Sequence, residues 1–334
     1  MKICICGGGS LGHVCAGVLA SHPDVEVSIY SGHPERWQKN ITVTDINGKL
    51  YSATLAKVSG KAEEVIAYKD IILFCLPGFL IEKTLTDIKP FIGDAIVGTV
   101  VSSTGFFFFA HSVLGDSAKL FGFQRVPFIA RVSEYGKSAN LLGYKSSLAV
   151  AAENIESKED FRQEIERLFL TPTILLDNYL EVALTNSNPI LHTSRLYTMF
   201  KGRENDIFDH KILFYKEWTD EASELLIKMD EEFFRLLKVL NVTSIPTLLD
   251  YYESTDASSL TRKISSIPAF QTIESPMVEV TGGWKADFKS RYFTEDFPYG
   301  LHWIIKLANV KSISTLVLDE VYEWGLSVFG MSKV

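Results

Sequence analysis

Gly7-Gly8-Gly9-Ser10-Leu11-Gly12 is the feature that most limits what this chain can become. The six residues fit G-x-G-x-x-G. They follow a short apolar run, Lys2 to Cys6, and lead into a helical pattern, Leu11 to Ala20, behind which Val25 to Tyr30 alternates as a second strand. Strand, tight turn, helix and strand within about 30 residues make the βαβ unit that a parallel sheet requires. In that setting each glycine has its own work. Gly7 permits the tight turn, Gly9 removes a side chain that would block a pyrophosphate, and Gly12 lets the helix sit close to the strand. The phosphates then meet free N–H groups at the helix N-terminus. The expected fold is therefore α/β, opening with a Rossmann-type doubly wound sheet that binds a dinucleotide.

Further along, Asp70 to Leu76 and Ala95 to Val101 are apolar runs, stopped by Pro77-Gly78 and by Ser102-Ser103-Thr104-Gly105. Both read as central parallel strands, with Leu80 to Ile88 helical between them. Ile41 to Leu55 reads as a polar hairpin turning at Asn47-Gly48, placed as an insertion at the sheet edge. Arg125 to Ala151 carries short strands, Ser157 caps an amphipathic helix ending near Phe169, and Thr173 to Leu176 is the last strand. After about Asp177 helical patterns dominate. The clearest follows the cap Thr219, with Leu225, Leu226, Met229, Phe233, Leu236, Leu237 and Leu240 at three- and four-residue steps, a core stripe. Ser254 to Ser266 reads as a polar surface loop, and Ser312 to Phe329 as a final amphipathic helix that is either core or a dimer face. The domains expected are 1–176, nucleotide-binding, and 177–334, mainly α-helical, which suits a chain of 334 residues.

A formal net charge of −8 and the lack of any Lys/Arg cluster exclude a nucleic-acid partner. The apolar run Phe106 to Ala110 is far too short for a bilayer, which takes roughly 20 residues. Lys2 leads into a strand and glycines rather than the apolar stretch of a signal peptide, so the expected location is cytoplasmic and no membrane partner is expected. Cys4, Cys6, Cys15 and Cys75 lack a second pair or a His cluster, so they read as buried reduced thiols and no metal site is expected.

When NAD is the cofactor, the second strand usually ends in Asp or Glu, which holds the ribose 2′-hydroxyl. Here the position falls near Ser31, which cannot repel a 2′-phosphate, and Arg36 lies a few residues on, either a partner for that phosphate or a solvated loop charge. NADP is therefore the expected cofactor, with NAD the alternative. Gly7, Gly9, Ser10, Leu11, Gly12, Ser31, Arg36 and Pro77 are the expected cofactor contacts.

Hydride transfer belongs to the nicotinamide, so the protein must supply orientation, substrate binding and a proton. His192 is the candidate proton carrier. It follows Asn188-Pro189, where the proline interrupts a helical stretch and removes the i+4 donor to the Thr185 carbonyl. Asn188 and His192, four apart, share one helix face and can address one substrate. The block from Arg291 to Leu301 concentrates a guanidinium, two carboxylates and a proline-fixed turn. Paired with His192, Asp296 would orient the imidazole and stabilise its cation, and Arg291 would clamp a substrate carboxylate. A surface Arg–Asp ion pair at a helix start is the plainer alternative.

The glycine turn, Val126-Pro127-Phe128-Ile129-Ala130-Arg131, Asn188-Pro189-x-x-His192 and Arg291-Tyr292-x-x-Glu295-Asp296-x-Pro298-Tyr299-Gly300-Leu301 together resemble the octopine/nopaline (opine) dehydrogenase family, in the same order along nearly the whole chain. The resemblance implies a Rossmann domain for NAD or NADP and a helical domain holding the substrates in a cleft against it. It implies reductive condensation of an amino acid with a 2-oxo acid, such as pyruvate, through an imine. It carries over His192 as the catalytic histidine, Asp296 and Arg291 as its supporting acid and arginine, and Asn188, with Arg291 and Tyr299, as substrate contacts. The chain departs from the family near Met199, where an Asn is usual, and at Ser102-Ser103-Thr104, where a glycine-richer turn is usual. Two other readings compete: a ketopantoate-reductase-like or 2-hydroxyacid NADP-dependent reductase, whose kind relies on a helix-borne lysine absent from the polar constellation here, and an NADP-binding sensor without turnover.

Overall fold

The computed structural model describes residues 1–102 and 105–330. Ser103 and Thr104, in the turn expected after Val101, lie outside the described residues. The chain forms two compact units, Met1–Thr185 and Asn186–Val334.

The first unit runs β1 (Lys2–Cys6), α1 (Ser10–Ala20), β2 (Glu26–Tyr30), β3 (Asn40–Asp45), β4 (Leu50–Thr54), β5 (Lys57–Ser59), α2 (Ala62–Val65), β6 (Ile71–Phe74), α3 (Gly78–Ile88), β7 (Ile96–Thr99), α4 (Phe106–Leu114), β8 (Leu120–Phe123), β9 (Phe128–Glu134), β10 (Ser138–Tyr144), β11 (Leu148–Glu153), α5 (Lys158–Phe169), β12 (Thr173–Leu175) and α6 (Tyr179–Ala183). Eight strands join in the order β12-β11-β8-β7-β6-β1-β2-β5. The strands from β8 to β5 are parallel neighbours, and β11 enters antiparallel to β8. Strand order reverses between β1 and β6, the switch point outside which such sheets bind ligands. The central strands are apolar on both faces because both are covered. One face packs α1 and α5, through residues such as Val14, Val18 and Phe161. The other packs α2, α3 and α4, through Val65, Ile81, Leu85 and Phe106. Ser157 caps α5, its hydroxyl accepting the Asp160 N–H.

Two expectations need correcting here. Ile41 to Leu55 is a hairpin turning at Gly48, with Asp45 Oδ1 accepting the Asn47 and Lys49 N–H groups at 2.8 Å. It is no insertion at the edge of the main sheet. Its strands open a separate four-stranded sheet, β4-β3-β10-β9, in which β3 runs parallel to β10. Ile41, Val43, Tyr51 and Ala53 bury one face of that sheet in the core that also holds α1. The alternation was legible; the distant partner was not. The first unit also extends past the expected boundary at 176/177, because α6 packs on the same core through Val182.

The second unit contains α7 (Asn188–Phe200), α8 (Asp220–Val239), α9 (Leu248–Tyr251), α10 (Ala257–Ser266), the hairpin β13 (Met277–Val280) and β14 (Gly283–Ala286), α11 (Arg291–Thr294), α12 (His302–Val310) and α13 (Leu316–Phe329). Thr219 caps α8 by accepting the Ala222 N–H. Leu226, Met229, Phe233, Leu236 and Leu237 are buried along its apolar stripe. α13 is core: Leu318, Val321, Tyr322 and Leu326 are buried within the unit. Residues 257–266 are helical instead of looped. Asp256 and Ser259 form a reciprocal capping box, and Leu260 and Ile264, one turn apart, are fully buried. Two apolar positions in a Ser/Thr-rich stretch leave too weak a period to read, and tertiary burial decides. Among the described residues no helix is long and apolar enough to cross a membrane.

Candidate active site

In the first unit the glycine turn leaves β1 at the switch point. Gly7 adopts φ +123, a backbone that L side chains rarely take, and a Cβ there would stand 2.5 Å from the Cys75 carbonyl oxygen at the end of β6. A Cβ on Gly12 would stand 2.3 Å from the Gly7 oxygen, so only glycine lets α1 close on the turn. Gly9 differs: a Cβ there would meet nothing within 4 Å. Gly9 is also the N-cap of α1, with no side-chain cap and no acidic residue in the first turn. Its N–H groups and dipole therefore open onto free space of the kind a pyrophosphate fills. Residues and space fit a dinucleotide. Pro77, the N-cap of α3, follows the Cys75-Leu76 segment that packs on Gly7. Ser10 Oγ accepts the Val132 N–H at 3.2 Å, tying α1 to β9, and Leu11 is half-buried beside it.

Beyond β2, Ser31 is only 4% exposed. Its hydroxyl accepts from the His33 N–H at 3.2 Å and the Trp37 indole N–H at 3.3 Å. Arg36 is exposed, its guanidinium 4.2 Å above the ring of Tyr135. The Tyr135 hydroxyl lies 2.3 Å from where a Gly8 Cβ would be, so the β9–β10 turn brings an aromatic lid to the glycine turn. His13, stacked on Trp37 with ring centroids 4.2 Å apart, locks that arrangement. Its Nε2 accepts the Gly136 N–H at 2.7 Å, which makes Nδ1 the protonated nitrogen, donating to the Gly9 carbonyl at 3.0 Å. Tyr135, His13 and Trp37 escaped the sequence reading, because only a tertiary contact joins β10 to α1.

Burial holds the His13 imidazole below its ordinary value of 6.5. The unfolded chain therefore takes up the proton first. The stability that neutral His13 contributes is present above pH 6.5 and is lost as pH falls through the lowered folded value. Melting temperature is expected to fall between pH 7 and pH 5, and less steeply in His13→Gln, which keeps an acceptor without titrating. Equal slopes for both proteins would contradict this reading.

In the second unit, Asn188 and Pro189 form the first turn of α7, so the proline starts this helix where a break within one was expected. α6 ends before it and belongs to the first unit. His192 follows one turn later, 9% exposed. Its Nδ1 lies 2.7 Å from Asp296 Oδ2 and its Nε2 2.8 Å from the Tyr215 hydroxyl. A carboxylate only accepts, so Nδ1 carries the proton and Nε2 is the basic nitrogen.

The chain brings Asp296 to this place from 104 residues away. Asp296 opens a π-helical turn, Phe297–Leu301, closed by the Leu301 N–H donating to the Asp296 carbonyl at 2.8 Å. Pro298 has no N–H to give an ordinary helical bond, which favours the wider turn. A Cβ on Gly300 would stand 2.4 Å from the Pro189 ring, so glycine lets the turn lie against the start of α7. Tyr292, from α11, sits 4.8 Å from the imidazole, and Phe214 meets it edge-on at 5.6 Å. These rings cover much of the imidazole, while the Asp296 carboxylate is half-buried.

Arg291 precedes Tyr292 on α11 but is exposed, and among the described residues its guanidinium makes no ion pair with Asp296. The plainer surface ion pair is thus absent. Asn188 and Tyr299 are half-buried, on α7 and the π turn respectively. Sequence reasoning missed Tyr215, Phe214 and Arg195. The only signal was the aromatic spacing Phe214-Tyr215-x-x-Trp218 in a segment between helices, which reads as core.

A phosphate-ready glycine turn at the switch point of a parallel sheet, in one chain with a buried imidazole paired to a half-buried carboxylate on a helical unit, is the set of features a Rossmann-type dehydrogenase requires. The family described as NAD/NADP octopine/nopaline dehydrogenase, alpha-helical domain, matches residues 175–328. An opine dehydrogenase from Haliotis discus hannai is 27% identical, covering 97% of this chain and 89% of its own length. A tauropine dehydrogenase from Arabella iricolor is 26% identical, covering 98% and 91%. A solved octopine dehydrogenase, in complex with NADH and L-arginine, superposes with a TM-score of 0.87 at 23% identity, covering 99% of this chain and 90% of that one. The chain is thus similar to the octopine/nopaline (opine) dehydrogenase family, through the model match over residues 175–328 and through relatives 27% and 26% identical along nearly its whole length.

Proposed function

We propose that this protein is an opine-type dehydrogenase, joining the amine of an amino acid to the carbonyl carbon of a 2-oxo acid and reducing the resulting C=N bond. The observation that carries the assignment of roles is the Asp296–His192 pair, with its basic nitrogen on the side away from the carboxylate. When bound, a reduced nicotinamide would supply the hydride that reduces the C=N bond. The chain's residues manage protons. Neutral His192 takes one proton from the ammonium group of the amino acid, freeing the lone pair that attacks the carbonyl carbon. The imidazolium, stabilised by Asp296, returns that proton to the carbinolamine hydroxyl, which leaves as water and makes the C=N bond. Exposed Arg291 is a fork for a substrate carboxylate, and Asn188 and Tyr299 are the further substrate contacts.

For the cofactor we propose NADP over NAD. No carboxylate ends β2, and Arg36 is held over Tyr135 beside the glycine turn, a cation for a 2′-phosphate.

Initial rates test both parts. Oxidation of reduced cofactor is expected to require an amino acid and a 2-oxo acid together, faster with NADPH than with NADH. Oxidation by the 2-oxo acid alone would favour a simple keto reductase. Tight cofactor binding with no turnover on a broad panel would favour a sensor.

A further inference from the structure

His192 is boxed in. Asp296 holds Nδ1, and the Tyr215 hydroxyl occupies the only other ring nitrogen at 2.8 Å. If the imidazole stores the proton of the reaction, that proton must travel through the Tyr215 oxygen or wait for Tyr215 to swing away.

The surroundings oppose a swing. Tyr215 is 6% exposed, stacked on Phe270 at 4.4 Å and lying parallel to Trp218. The segment that carries it is also tied to the helix that carries His192. Arg195, one turn past His192 on α7 and 3% exposed, donates to the Phe214 carbonyl at 3.2 Å and the Glu217 carbonyl at 2.5 Å, bracketing Tyr215. Among the described residues this guanidinium has no hydrogen-bonded carboxylate partner, and its desolvation brings it down to about 10. A cation kept buried to hold two carbonyls fixes the segment between them. His192 and Tyr215 therefore sit on one rigid frame.

We propose that Tyr215 is the terminal member of an Asp296–His192–Tyr215 proton relay, its hydroxyl being the group that exchanges protons with the substrates. The inference rests on the opine-type reaction proposed above. In the resting state Tyr215 donates its O–H to Nε2, leaving an oxygen lone pair to accept. As the substrate ammonium gives its proton to that oxygen, the original phenolic proton passes to Nε2. The products are a free amine, a neutral phenol and an imidazolium. On the return, Nε2–H passes to the phenolic oxygen while the phenolic proton goes to the carbinolamine hydroxyl, which departs as water. No atom or charge is left over. Burial pushes the Tyr215 phenol well above its ordinary value, so a free phenolate is disfavoured and each proton entering must be matched by one leaving. That matching makes two protons move in one step.

The test is Tyr215→Phe, which keeps the ring and its stacking. Turnover is expected to fall roughly 10- to 100-fold, with KM for both substrates and the cofactor Kd near wild type. In the wild type, rate against solvent deuterium fraction is expected to curve as two protons in flight require. A Tyr215→Phe enzyme with wild-type turnover would overturn the relay, and so would a linear plot or an absent solvent isotope effect in the wild type. The second reading needs no variant to fold. His192→Ala separates the two levels. Loss there with full activity in Tyr215→Phe removes the relay and leaves the proposed reaction standing, whereas full activity in His192→Ala removes both.

Discussion

His192→Ala is expected to lower turnover by roughly 100-fold or more, the usual contribution of a positioned acid/base group. Among the described residues, the removed imidazole is the only group hydrogen-bonded to both the Asp296 carboxylate and the Tyr215 hydroxyl. Affinity for the reduced cofactor is expected to stay near wild type, because the proposed phosphate cradle is the glycine turn of the first unit. Turnover within a few-fold of wild type, in a protein shown to be folded, would contradict the role given to this histidine.

The second large effect separates two glycines three residues apart. Gly9 has φ −79, ordinary for any residue, and free space beyond its Cβ position. Asp is a good N-cap, and its charge suits the start of α1. Gly9→Asp is therefore expected to hold or raise the melting temperature. It should also cut cofactor affinity on the order of 100-fold or more, because a carboxylate would occupy the pyrophosphate's place and repel it. Gly12→Ala is expected to do the reverse, lowering the melting temperature of the protein by overpacking Cβ against the Gly7 carbonyl oxygen at 2.3 Å. Calorimetry and cofactor titration of the two variants check the pair. Equal losses of stability, or undiminished binding by Gly9→Asp, would contradict the phosphate-cradle reading.

What could be read without coordinates follows from how local each signal is. The strand, glycine turn and helix from Lys2 to Ala20 announce themselves within one segment, as do the caps Ser157 and Thr219. The helix from Ala257 to Ser266 does not, since its stabilising burial of Leu260 and Ile264 depends on neighbours distant in sequence. The hairpin 40–54 was legible as a hairpin, yet its pairing with β10, almost a hundred residues on, was not. The pairing of His192 with Asp296 was legible because a proline, a glycine and a carboxylate mark the segments that meet, and the structure brings the two side chains to 2.7 Å. Tyr215 was not found, because a buried aromatic beside Phe214 and Trp218 looks like core until its hydroxyl is seen on an imidazole. Arg195 was missed for a related reason: nothing in a helical sequence says that a guanidinium will turn inward to hold carbonyls.

The product itself gives the most direct test of the central assignment. Incubation with an amino acid, pyruvate and reduced cofactor deuterated on the transferring face of its nicotinamide C4, followed by mass spectrometry, is expected to yield a secondary-amine dicarboxylate with one deuterium on the new C–H. Deuterium appearing only in a 2-hydroxy acid, with the amino acid unconsumed, would contradict it.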